Sequence, residues 1–178
     1  MRKNKNLTTI AIALAVLAVA LCGTVISYMF HISEQKNNLF TPDTVSCEVL
    51  EEFDGQQKSS IKVKNTGNID AYIRIRLVSY WVDSDGNIVA KPSTMPVINV
   101  GTGWLEGTNN TYYYQKPVTP TDLTDTLISS PIILEKDENG YLQVLEVFAE
   151  GIQSKPQNAV KDSWKVTLDS NGHITVAP

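Results

Sequence analysis

The chain has 178 residues, with 19 acidic and 15 basic side chains, a net charge of -4 and two cysteines. Two cysteines are too few for a disulfide framework, and the basic excess that drives binding to nucleic acid is absent. Only His31 and His173 can serve as acid or base near neutral pH, so the composition does not favour an enzyme. The length predicts a single domain, at about 100–200 residues per domain.

The amino terminus combines a basic flank with a long apolar run. Three basic residues precede residues 7–30, which contain no charged side chain. This pattern is typical of an export signal, and the run could also cross a hydrocarbon core of about 30 Å as a helix. Small residues near its end predict cleavage between Ser27 and Tyr28. Residues 1–27 are then a signal peptide, with a retained membrane anchor as the alternative.

The remainder of the chain is predicted to contain two parts. Residues 28–44 form a linker or candidate donor strand, and residues 45–178 form one folded domain. Cys47 is the cysteine left after cleavage, and it alternates with Val45 and Val49. This spacing predicts that Cys47 is buried.

The clearest strand runs from Ala71 to Val82, where apolar and polar side chains alternate with a period of two. Its predicted inner face carries four apolar residues, Ile73, Ile75, Leu77 and Trp81. Its predicted outer face carries Tyr72, Arg74, Arg76 and Tyr80. Because the strand is long, we expect a bend or bulge near Val78 and Ser79.

The same periodicity predicts shorter strands at residues 45–53, 60–64, 141–150, 164–168 and 173–176. Only residues 156–163 favour a short helix, with Trp164 packing it on the sheet. In the triple tyrosine 112–114, alternation predicts that Tyr113 points away from its two neighbours. Many short strands and almost no helix predict an all-β fold, a β-sandwich with one short helix.

Three Asp-rich segments, residues 83–87, 137–140 and 169–172, each place a glycine after Asp or Asn. These residues favour tight reversals, so each segment predicts a β-hairpin. Calcium binding is the alternative for such a segment. However, none of the three has the further oxygen ligands or the terminal glutamate of a calcium loop.

A family resemblance rests on several short motifs that occur in a fixed order along most of the chain. They are residues 23–28, Asn-Leu-Phe-Thr at 38–41, Lys-Asn-Thr-Gly at 64–67, Ala-Tyr-Ile-Arg at 71–74, Tyr80-Trp81, Phe-Ala-Glu-Gly-Ile-Gln at 148–153, Asn-Ala-Val at 158–160 and Trp164. In these the chain resembles the TasA/camelysin-like exported proteins of Gram-positive bacteria, which use a SipW-type signal peptide. The resemblance implies a jelly-roll β-sandwich, export by a dedicated signal peptidase, and assembly into biofilm matrix fibres.

In the fibres of that family, the amino-terminal stretch of one subunit completes the sheet of the next. The equivalent stretch here precedes the folded domain and carries spaced apolar residues, namely Tyr28, Phe30, Ile32, Leu39 and Phe40. We therefore treat it as a candidate donor strand. A flexible tether, or a strand folded back on its own domain, is the alternative.

The outer face of the long strand offers aromatic and guanidinium groups that could bind a carbohydrate or a protein partner. Its residues are Tyr72, Arg74, Arg76 and Tyr80. The same ladder of side chains could equally be a plain solvated sheet face.

The sequence thus predicts a non-catalytic structural protein, secreted or held at the cell surface, with no cofactor and no metal. Its expected partners are copies of itself or related matrix subunits, a SipW-type signal peptidase, and the membrane through residues 7–30 before cleavage. A membrane-anchored binding module that does not polymerise is one alternative. A camelysin-like metalloprotease is another, disfavoured because the chain has no His-Glu-x-x-His motif.

Overall fold

The computed structural model describes residues 42–177. They form ten β-strands and one α-helix, and all strand pairs are antiparallel. The elements are β1 (Cys47–Phe53), β2 (Gln57–Asn65), β3 (Ala71–Val82), β4 (Ile88–Val89), β5 (Trp104–Glu106), β6 (Thr111–Tyr114), β7 (Ile132–Ile133), β8 (Leu142–Gln153), α1 (Asn158–Trp164), β9 (Thr167–Leu168) and β10 (Ile174–Val176).

The main sheet is built around β3, which pairs with β8 along one edge and with β4 and β6 along the other, while β5 pairs with β6. Strands β3 and β8 are each 12 residues long and pair without a register shift from Ala71 opposite Gln153 to Val82 opposite Leu142. The expected bulge near Val78 is therefore wrong. Two strands of equal length leave no extra residue to accommodate.

The second sheet has the order β1-β2-β7, and a register shift between Leu50 and Glu52 interrupts its β1–β2 pairing. Side chains from both sheets meet in one buried cluster, which includes Ile61 from β2 and Ile73 and Ile75 from β3. The two sheets therefore pack against each other through their inner faces. Each such aliphatic side chain contributes about 1.5–3 kcal/mol on burial.

A second cluster lies on the opposite face of the main sheet, under α1 and the β9–β10 hairpin. Val160 and Trp164 of α1 are buried there. A helix of 7 residues is too short to be stable alone, so this packing holds it in place. The short helix and the packing of Trp164 are confirmed. The strand expected at residues 164–168 is shorter than predicted, because Trp164 still belongs to the helix and Lys165 ends it at a φ of 58°.

Each of the three Asp-rich segments forms the expected reversal of the chain. The amide of the glycine donates a hydrogen bond to the carbonyl of the first aspartate, at 3.0–3.1 Å in all three. The carboxylate of that aspartate also accepts two backbone hydrogen bonds, from the residues two and four positions later. These aspartates are Asp83, Asp137 and Asp169.

The tyrosines of β6 alternate as predicted. Tyr112 and Tyr114 belong to the cluster between the sheets, and Tyr113 belongs to the cluster under α1. Cys47 differs from its prediction, since it is half-buried and only borders the core. It lies on β1, which is an edge strand of its sheet in the described part of the chain. Burial raises the pKa of its thiol, and the nearby Glu150 carboxylate adds to that effect.

Candidate functional site

Within residues 42–177, the outer face of the main sheet is covered at one end only. There, α1 and the β9–β10 hairpin pack on Tyr72 and Tyr113. Farther along β3 and β8 the same face is open, and Arg76, Val78 and Phe148 are exposed to solvent. The register places Arg76 directly opposite Phe148. This open part of the outer face is the first candidate for a binding surface.

Tyr72 does not belong to the open surface. Its side chain is 0% exposed, and its hydroxyl donates a 2.5 Å hydrogen bond to the carbonyl of Gly172. Burial raises the pKa of Tyr72, and the negative charge of Asp169 raises it further. The expected exposure of Tyr72 is therefore wrong. Alternation assigns a side chain to one face of a sheet but does not say what packs on that face.

Arg74 lies at the border between the covered and open parts and is held by two partners. Its Nε and Nη2 donate hydrogen bonds of 2.9 and 2.6 Å to Oε2 of Glu150. Its guanidinium carbon lies 4.8 Å from the ring centroid of Trp164, which donates a 3.3 Å hydrogen bond to the other oxygen of Glu150. Arg74 is therefore neutralised and helps to fix α1 on the sheet.

Arg76 is in a different situation. Within residues 42–177, it makes no ion pair and no side-chain hydrogen bond. Of the two acids nearest to Arg76 along this face of β8, Glu150 is bonded to Arg74 and Glu146 lies opposite Val78. Burial raises the pKa of Tyr80, and the negative charge of Glu146 raises it further. Among the described residues, Arg76 is thus a cation without a partner on the open face.

A groove of about 700 Å³ lies over this part of the sheet. Its floor includes Arg76 and Phe148, and one wall is the loop between β5 and β6. In that loop Asn109 and Asn110 both have left-handed backbones, with φ of 55° and 56°. The loop is fixed to β3, because the Leu77 amide donates a 3.0 Å hydrogen bond to the Asn110 carbonyl.

A second depression, of about 350 Å³, adjoins this groove at the edge of β3, between β6 and β4, and is lined in part by Leu77 and Met95 from the inner side of the sheet. Three residues line both of them, namely Arg76, Val78 and Asn109. We call the two depressions together the outer-face groove. A ligand that occupied both depressions would pass from Arg76 around the edge of β3.

The second candidate for an interaction site is the outer edge of β8. The Leu145 carbonyl and the Gln143 amide both bond to groups outside the main sheet, so odd-numbered residues of β8 direct their backbone groups away from β3. The edge formed by Val147, Ala149 and Gly151 therefore points outward. No strand of the described chain pairs with it.

Two features bound this open edge. At one end Lys58 of β2, itself buried, donates a 2.6 Å hydrogen bond to the Leu145 carbonyl and forms an ion pair of 2.9 Å with Glu51. At the other end Val45 approaches Gly151 so closely that a Cβ at residue 151 would lie 2.9 Å from the Val45 Cγ1. Between these two contacts β1 lies beside the edge, but no strand within residues 42–177 pairs with it.

The groups considered for catalysis are not assembled into a metal site in the described chain. No three His, Cys, Asp or Glu side chains between residues 42 and 177 are grouped so that they could hold a metal ion. His173 faces only Asp169, at 3.8 Å. Over the same residues, no helix has the length and apolar character needed to cross a membrane.

The sequence-based site residues separate into three groups in the structure. Arg74, Arg76 and Tyr80 lie on the uncovered outer face or at its border, and Tyr72 is buried. The predicted signal peptide, its cleavage point at Ser27 and Tyr28, and the donor residues Phe30, Ile32, Leu39 and Phe40 lie outside the described residues. Sequence reasoning missed Phe148, although alternation along residues 141–150 could have assigned it to the same face as Glu146.

The sequence analysis also did not predict the unpaired outer edge of β8 or the hydrogen bond from Lys58 to the Leu145 carbonyl. No local sequence pattern predicts these two features, because both depend on which strands become neighbours in the folded chain. In comparisons with known proteins, no family, no curated protein and no solved structure matches this chain.

Proposed function

We propose that this chain is an exported structural protein of the cell surface or extracellular matrix, and that it assembles into fibres by strand addition to the outer edge of β8. The proposal includes a jelly-roll sandwich, cleavage of the leader by a SipW-type signal peptidase, and membership of the TasA/camelysin-like family. The observation that carries the assembly step is the unpaired edge formed by Val147, Ala149 and Gly151.

An open strand edge is normally protected in a protein, because its free amides and carbonyls recruit other strands. Charged side chains, prolines and bulges are the usual protection. The three edge residues here are uncharged, none is proline, and β8 has no register shift. Such an edge is suited to accept a strand through main-chain hydrogen bonds.

The proposed donor is the segment at residues 28–44 of a second copy or of a related matrix subunit. Its apolar residues Tyr28, Phe30, Ile32, Leu39 and Phe40 would supply side chains for the acceptor. The lack of basic excess argues against nucleic acid as a partner.

The acceptor role can be tested by the substitution Ala149→Pro. Proline removes the amide that points off the edge, and edge positions tolerate it. We expect the secreted variant to fold, as shown by circular dichroism, but to form no filaments in electron micrographs. The control Ala149→Ser keeps the amide and should form filaments. Normal filaments from Ala149→Pro would exclude this edge as the acceptor.

The donor role is tested separately by deleting residues 28–40, with intact-mass measurement to locate the amino terminus of the secreted wild-type chain. We expect the deletion to abolish filaments. Unimpaired filaments would refute strand donation by this segment. A mass that includes residues 1–27 would favour the membrane-anchored binding module instead.

A further inference from the structure

We infer that the outer-face groove binds an extended acidic oligosaccharide, with a sugar ring stacked on Phe148 and a uronate carboxylate paired with Arg76. The inference rests on the proposed function in one respect: an exported protein would encounter this ligand outside the cell. It requires neither strand donation nor filament formation.

We infer that the ligand is anionic because the two arginines of the groove differ in whether they already have a carboxylate partner. Arg74 already shares Glu150 and Trp164, whereas Arg76 has no carboxylate partner within residues 42–177. The charged residues that line the larger depression are these two arginines and Glu150, which leaves one net positive charge. The chain as a whole has a net charge of -4. Recognition must therefore depend on direct contact with Arg76 and not on long-range attraction.

We infer that the ligand carries a sugar ring because an exposed aromatic side chain, Phe148, lies beside Arg76. Phe148 is directly opposite Arg76 in the sheet and is 49% exposed, so its ring is free to act as a platform. The C–H groups of a pyranose are slightly positive and pack on the negative face of an aromatic ring. Around this platform, the side chains of Thr108, Asn109 and Thr111 offer hydroxyl and amide groups to sugar hydroxyls.

The extended shape follows from the two depressions that meet at Arg76, Val78 and Asn109. A linear oligomer can occupy both, with Arg76 near the middle. An extended peptide fits the floor of the groove less well. Peptides that add to sheets use free backbone groups, and here Arg76 and Phe148, on the floor of the groove, are already paired with each other in the sheet.

The test is calorimetric titration of the purified full-length chain, in a nonionic detergent, with a linear oligogalacturonate. The same oligomer with its carboxylates methyl-esterified is the matched ligand control. We expect the acidic oligomer to bind, and the ester to bind about 10-fold more weakly or worse, as expected for loss of a charge-assisted hydrogen bond.

Variants then locate the site. Arg76→Gln should weaken binding of the acidic oligomer about 10-fold or more. Phe148→Ala should weaken both oligomers, because it removes the platform. Lys116→Gln removes an exposed positive charge outside the groove and should bind as the wild type does. Thermal unfolding midpoints confirm that each variant is folded.

Equal affinity for the acidic and esterified oligomers, or unchanged binding by Arg76→Gln, would overturn the proposal. So would an acidic peptide that binds in an Arg76-dependent way while neither oligosaccharide binds, since this would identify a peptide groove. Filament formation is scored in a separate assay, so failure of glycan binding leaves the strand-addition proposal intact, and the reverse also holds.

Discussion

At the scale of single residues, Tyr72 shows that the role of a side chain depends on what packs around it. It shares a face of β3 with Arg74 and Arg76, yet it is buried beneath α1 and bonded to the Gly172 carbonyl. Arg74 in turn belongs to the packing of α1 through Trp164, whereas Arg76 has no ion-pair partner within residues 42–177. Three residues on one predicted face therefore have three different roles.

The substitution Tyr72→Phe tests the structural role of that hydroxyl. Gly172 is itself buried, so its carbonyl would lose its donor without access to water. We expect the free energy of unfolding to fall by about 1–3 kcal/mol, measured by chemical denaturation. Tyr80→Phe is the matched control on the open face and should change stability by less than about 0.5 kcal/mol. Equal effects of the two substitutions would contradict this assignment.

At the scale of elements, the three Asp-rich turns share one pattern of hydrogen bonds. In each, a carboxylate oxygen accepts hydrogen bonds from backbone amides two and four residues later. Backbone hydrogen bonds lower the pKa of Asp83 and Asp169, and the Lys91 side chain is the largest influence that lowers the pKa of Asp137. The ionised carboxylates thus help to close the turns.

These lowered pKa values predict acid sensitivity. A carboxyl whose pKa is lower in the folded chain adds stability above its unfolded pKa of about 3.9, and that stability is lost as the pH falls through the folded pKa. We expect the thermal unfolding midpoint to fall with pH below about 4. In Asp83→Asn, which keeps an acceptor oxygen but cannot titrate there, the fall should be smaller.

The control for this experiment is Asp85→Asn, in the same turn. The side chain of Asp85 accepts none of these bonds, and only its amide takes part. Its acid profile should match that of the wild type. If both variants behave alike, the hydrogen bonds of Asp83 do not account for the acid sensitivity.

At the scale of the whole molecule, the side chain of Lys58 connects the two sheets, which share no strand pair within residues 42–177. It belongs to β2, pairs with Glu51 of β1, and donates to the Leu145 carbonyl on the edge of β8. The contacts of this one side chain therefore link the two sheets. They also shorten the part of the β8 edge with which another strand could pair.

A double-mutant cycle of Lys58→Met and Glu51→Gln tests this connection. Glu51→Gln leaves a buried ammonium without its carboxylate and should cost about 1–3 kcal/mol, less than for a fully buried pair because Glu51 is partly exposed. In the double variant we expect a coupling energy of about 1 kcal/mol or more, measured by chemical denaturation. Strictly additive effects would show that the pair contributes nothing.

The local features of this protein could be predicted from its sequence. The hairpins, the short helix, the alternation of Tyr112 to Tyr114 and the long strand Ala71–Val82 are set by turn residues and by side-chain periodicity, which act over a few positions. For the same reason, the inner residues Ile73 and Ile75 were assigned correctly to the core.

The remaining features required the tertiary structure. Burial of Tyr72, neutralisation of Arg74, partial exposure of Cys47 and the open edge of β8 depend on contacts between residues far apart in the chain. Periodicity gives the direction of a side chain relative to its own strand. What then covers that side chain, or pairs with that strand, is decided by elements that the chain brings together only when it folds.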